Sequence, residues 1–91
     1  MRRGAPSPKA GNKELAEVEF SALILYHKAK MIKARYEMSF ARKAVRRMVQ
    51  LKRSKNWVTR YKAIQFYGPR LLRMHINLNT KLEAHARRHR R

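Results

Sequence analysis

Cysteine and aspartate are both absent from these 91 residues. Without thiols there is no disulfide and no thiolate metal site, a composition that suits a reducing compartment. Acid of any kind is scarce: Glu14, Glu17, Glu19, Glu37 and Glu83 complete the set, and Glu37 stands alone between Phe20 and Leu82. General acid–base and metal-assisted catalysis draw on carboxylates or histidines gathered in a pocket. That shortage, with no glycine-rich phosphate loop and no nucleophile elbow, argues against an enzyme and against any small-molecule substrate or cofactor. The longest mainly apolar run, Val18 to Tyr26, is interrupted by Glu19 and falls short of the ~20 residues needed to cross a bilayer. Proline and glycine are missing from Lys13 to Arg53, so nothing there interrupts a helix from within.

What is present is positive charge. The chain carries 24 lysines and arginines for a net charge of +19, and sixteen of them lie from Lys28 to Lys81. A one-signed surface repels itself and weakens the compact state, so the chain needs a polyanion. Nucleic acid supplies closely spaced phosphates, and each lysine or arginine bound to one releases condensed counterions. The apolar fraction of 44%, regularly spaced, is too high for a disordered basic tail. A single small domain with little core is expected, only partly folded at low ionic strength and gaining helix when a polyanion is added.

The sequence predicts an all-α fold: one long basic helix with two shorter helices folded back, an extended N-terminal arm and a basic C-terminal tail. Residues 1–12 read as a flexible basic arm, 13–86 as the helical domain and 87–91 as the tail. The arm has two prolines and two glycines, and it lacks the hydrophobic centre of a secretory signal. Asn12 is the expected N-cap, with Glu14, Glu17 and Glu19 at the positive end of the helix dipole. Phe20, Ile24, His27, Met31, Ala34, Met38, Ala41, Val45 and Met48 recur four and three apart as one apolar stripe. They imply a rod of about forty residues, ~60 Å long. Complementary charges that would fix a coiled-coil partner are missing, so a homo-oligomer is not expected.

Asn56 is a second N-cap, for a helix bearing Trp57, Tyr61, Ile64 and Phe66, which Gly68-Pro69 ends. A third helix then carries Leu71 or Leu72, His75, Leu78 and Leu82. The aromatics Trp57, Tyr61, Phe66 and Tyr67 alternate with Lys55, Arg60, Lys62 and Arg70. Core packing is the leading role for them and base stacking the alternative, with Tyr67 the first candidate for stacking. His85 and His89 share a helical face at metal-binding spacing, but the surrounding Arg87, Arg88, Arg90 and Arg91 would repel a cation. His27 and His75 read as packing histidines on the apolar stripes.

The residues expected to contact RNA phosphates are Lys28, Lys30, Lys33, Arg35, Arg42, Lys43, Arg46, Arg47, Lys52 and Arg53 in the long helix. Lys55, Arg60 and Arg70 join them further on, with Arg87, Arg88, Arg90 and Arg91 at the end. The densest run pairs Arg42-Lys43, Arg46-Arg47 and Lys52-Arg53, which recur at about one helical turn or slightly more.

A short, nearly acid-free helical chain of this kind resembles a ribosomal protein. ARKAVRRMV, Ala41 to Val49, is similar to the SRRGLLRMV-like stretch of the small-subunit S-fifteen family, and Glu17-Val18 lies upstream much as that family's Glu-Val does. Leu23 to Arg53, with His27, Arg42, Met48-Val49 and Arg53, resembles the first long helix of the large-subunit L-seventeen family, and Gly68-Pro69-Arg70 matches its Gly-Pro-Arg. Either resemblance implies a structural constituent of a ribosome that binds rRNA and neighbouring ribosomal proteins, with a mitochondrial ribosome slightly preferred. The rival expectation is an accessory subunit of a membrane-bound complex, with its basic helix against anionic lipid and Val18 to Tyr26 against a protein partner.

Overall fold

The computed structural model describes residues 11–89, and its helices run α1 (Asn12–Met31), α2 (Arg35–Lys52) and α3 (Trp57–His89). No strand occurs among the described residues, so the all-α expectation holds. The arrangement of lengths differs: the long helix is the last, and the expected forty-residue rod is two helices. Residues 1–10 of the expected arm, and Arg90 and Arg91 of the expected tail, lie outside the described residues.

The break falls at Lys33, a non-glycine residue with φ 56°. Its N–H donates to the Lys30 carbonyl at 3.3 Å, while the Ala34 N–H reaches back to the Ala29 carbonyl at 2.8 Å. These bonds satisfy carbonyls that a helix end otherwise strands, in the pattern normally closed by glycine. A side chain in that left-handed conformation costs about 1–2 kcal/mol. Lys33→Gly is therefore expected to raise thermal stability by about 1 kcal/mol, a rise of roughly 4–8 °C in the melting midpoint. Thermal melts followed by circular dichroism check this.

The turn sends α2 back along α1. Lys52 pairs with Glu19 at 2.5 Å near the end of one helix and the middle of the other. The seam between them is rich in alanine: Ala22 and Ala29 on α1 and Ala41 and Ala44 on α2 are all buried. Small side chains let two helix backbones approach closely, but each buries little apolar area. Leu15, Val18, Leu25, Met48 and Leu51 complete this side of the core, and α3 contributes Ala63, Leu71 and Leu78.

This core corrects the expected stripe on α1. Phe20 and Met31 are 64% and 67% exposed and His27 is exposed, whereas Leu15, Val18, Ala22, Leu25 and Ala29 face inward. Both sets repeat at three and four residues. On α2 the stripe holds better, with Ala41 and Met48 buried and Met38 and Val45 packed against the core.

α1 begins one residue earlier in its capping than expected. Gly11, at φ 88°, is the N-cap without a side-chain cap bond, and Asn12 is the first helical residue. Asn56 does cap α3: its Oδ1 accepts from the Val58 and Thr59 N–H groups at 3.0 and 3.2 Å. The Gly68-Pro69 boundary is overturned, because α3 runs through it for 33 residues. Pro69 lacks the N–H that would bond the Gln65 carbonyl, a defect of about 3 kcal/mol in a helix interior. Ala63 before it and Leu71 and Leu78 after it are all buried in the one core, so burial on both sides keeps the two halves in line.

A polar clasp joins α1 to α3. His75 Nε2 lies 2.9 Å from the Ser21 carbonyl and 3.1 Å from its hydroxyl, and Lys28 Nζ sits 3.3 Å from Nδ1 and donates to Asn79 Oδ1 at 3.0 Å. With an ammonium donating to Nδ1, the imidazole carries its proton on Nε2 and is neutral. Burial holds the His75 pKa below its usual 6.5; the bond to Ser21 opposes this and the Lys28 charge adds to it. A depressed histidine contributes stability that is full above the unfolded pKa of 6.5 and is lost as pH falls through the lower folded value. Urea titrations should show the wild type losing stability below pH 6.5 more steeply than His75→Asn.

Candidate nucleic-acid interface

The outward faces of α2 carry the densest charge. Arg42, Lys43, Arg46, Lys52 and Arg53 are exposed and Arg47 is half-buried. Arg42, Arg46 and Arg53 follow one side of the helix over ~16 Å. Lys43, Arg46 and Arg53 pair with no carboxylate among the described residues, while Lys52 is held by Glu19 and Arg47 Nη1 donates to Gln50 Oε1 at 3.0 Å. An unneutralised row of this kind attracts phosphate over the whole length of the helix.

The row borders an apolar floor. Leu23 and Tyr26 of α1 meet Arg42, Val45 and Arg46 of α2 around an open groove of about 330 Å³. Val45 and Arg46 also line its continuation past Val49, Gln50 and Arg53. The Arg42 guanidinium lies 5.5 Å from the Tyr26 ring centre, close enough for the ring face to hold it.

The other expected contact residues scatter. Lys30, Lys33 and Arg35 are exposed at the hairpin turn, and Lys55 is exposed in the α2–α3 connection. Lys28 is half-buried in the His75 clasp. Arg87 and Arg88 are exposed on the last turns of α3. Arg60 is the clear departure: it is 0% exposed, and its Nη1 donates to the Ser54 carbonyl. Its guanidinium braces the connection into α3, so no phosphate reaches it. Three exposed cations outside the expected set, Lys62, Arg73 and Lys81, add to the basic surface of α3. The i,i+3 spacing of Arg70 and Arg73 was the available signal for one of them.

The aromatics also sort themselves. Trp57 and Tyr61 are half-buried and pack edge to face with ring centres 6.1 Å apart. Tyr67 packs on the core 5.6 Å from Phe40, which removes it as the first candidate for stacking. Phe66, beside it, is 46% exposed.

His85 is half-buried beside Ile32 and Arg88. No group of three histidines or carboxylates that could hold a metal occurs among the described residues, and no described helix is long and apolar enough to cross a membrane. No family model matches the chain, and neither the curated proteins nor the solved structures contain a match to it.

Proposed function

We propose that this chain is a non-enzymatic structural constituent of a ribosome, with a mitochondrial ribosome slightly preferred, that binds rRNA through phosphate contacts and packs on neighbouring ribosomal proteins. The observation that carries the reading is the exposed, unneutralised row Arg42, Lys43, Arg46 and Arg53 on a chain of net charge +19. Phosphate binding is the use to which such a row is suited, because carboxylates would serve solubility better. The mechanism is positional: α2 and the flanking turn lie along RNA, and sequence is not read by this ridge.

A second reading, an accessory subunit of a membrane-bound complex, draws support from the exposed Leu23 beside Arg42 and Arg46 and from the exposed Phe20 on the same helix. Gradient sedimentation of the native protein separates the two. The ribosomal reading expects co-migration with ribosomal particles that nuclease abolishes; migration with detergent-released membrane complexes, insensitive to nuclease, would reject it.

A further inference from the structure

We propose that the groove between the start of α2 and the middle of α3 takes one unpaired RNA nucleotide, with guanine preferred. This rests on the RNA-binding reading above and adds to it a site that recognises a base. The groove encloses about 420 Å³, within the size range of small-ligand sites. Tyr36 and Glu37 of α2 stand on one side and Phe66, Arg70, Arg73 and Asn77 of α3 on the other.

Its platform is already assembled. The Arg70 guanidinium carbon lies 3.8 Å from the centre of the Phe66 ring, and Nη1 donates to the Phe66 carbonyl at 2.7 Å. The bond and the ring fix a long side chain that would otherwise spend rotamer entropy on binding. A guanidinium plane held this way offers its outer face to a base, as arginine does in single-stranded RNA recognition. Phe66 is 46% exposed and Tyr36 70% exposed, so both rings present apolar area that the fold leaves uncovered. Arg73, exposed in the same groove, supplies the cation for the nucleotide's phosphate.

Glu37 gives the preference. It is the one acid between Phe20 and Leu82, and it lines a groove with two arginines without forming an ion pair to any described residue. A carboxylate beside a stacking platform repels phosphate but accepts two N–H bonds side by side. Guanine offers adjacent N1–H and N2–H donors on its Watson–Crick edge, whereas adenine, cytosine and uracil each offer one donor next to an acceptor. The first turn of α2 is also favourable for a carboxylate through the helix dipole, which accounts for an acid there but not for its sharing a groove with Arg70 and Arg73 without an ion pair to either.

The test is fluorescence anisotropy of the full chain with RNA hairpins that differ only in a single bulged nucleotide, against the fully paired hairpin, at two salt concentrations. Wild type should bind the bulged-guanine hairpin at least about fivefold tighter than the paired one. Phe66→Ala and Arg70→Lys should bring that ratio to one while retaining affinity for the paired hairpin; Arg70→Lys keeps the charge and loses the planar stack. Glu37→Gln should erase the difference between bulged guanine and bulged adenine and leave the preference for bulged over paired RNA. Equal wild-type binding to bulged and paired hairpins would overturn the nucleotide site and leave phosphate binding standing. Absence of salt-dependent binding to every hairpin would overturn both.

Discussion

Replacing Arg42, Lys43, Arg46 and Arg47 together by glutamine is expected to weaken RNA binding across unrelated sequences and to flatten its salt dependence. Each lost phosphate contact lowers the magnitude of the log–log salt slope by roughly 0.7 to 0.9. Arg47 is half-buried and bonded to Gln50, so three full contacts are the better count and the slope should fall by roughly 2 to 3. Glutamine has a helix propensity close to that of lysine and arginine, and none of the four side chains belongs to the buried core. Helicity measured in parallel should therefore be unchanged. A slope equal to that of the wild type would place the RNA surface elsewhere, on the N-terminal arm or the Arg87 to Arg91 end. Loss confined to one RNA sequence would mean that the ridge reads bases.

The second large effect is on folding. Leu25→Asp should abolish the cooperative melt, because Leu25 is 0% exposed and a buried, unpaired carboxylate costs on the order of several kcal/mol. A domain of this size has about that much stability in total. Phe20→Asp, at a position 64% exposed, should change stability by no more than about 0.5 kcal/mol. The stripe read from spacing, Phe20, Ile24, His27 and Met31, predicts the reverse order. Circular dichroism melts of the two variants distinguish the faces, and equal effects would reject the core described here.

That reversal shows what was legible in the chain. Helical class, the Asn56 cap and the inward Leu78 are visible because each has a local chemical signal: a side-chain oxygen before a helix, and a leucine in three- and four-residue step with His75 and Leu82. Leu71 and Leu72 are alternatives in the sequence, and packing buries Leu71 and leaves Leu72 62% exposed. α1 offers no such contrast. Its apolar residues occupy most faces, so two stripes with the same period compete, and only packing against α2 and α3 selects Leu25 over Ile24. The hairpin was hidden because Lys33 does what glycine normally announces. Charge held the remaining clue, since Lys28 and Lys30 end α1 and Glu37 opens α2, the order that suits two successive helix dipoles. Pro69 misled in the opposite direction, as tertiary burial on both sides outweighed a local break.

The exposure of the α2 ridge was legible and the burial of Arg60 on α3 was not. Arg42, Lys43, Arg46 and Arg53 are exposed as their spacing implies, because α2 has one inward face made of Ala41, Ala44, Met48 and Leu51. Arg60 looks identical in sequence to its neighbours. It is buried with its Nη1 donating to the Ser54 carbonyl in the α2–α3 connection, a partner set by three-dimensional placement. Phe66 and Tyr67 are likewise neighbours with different fates, since Tyr67 packs on Phe40 and the core while Phe66 stays 46% exposed.

Ultraviolet cross-linking in intact cells, followed by sequencing of the RNA attached to the purified protein, asks which nucleic acid this chain holds. rRNA should dominate the attached RNA, and the cross-linked peptides should include the segment from Arg42 to Arg53. Cross-links confined to DNA, or an absence of RNA from the purified protein, would contradict the rRNA-binding reading.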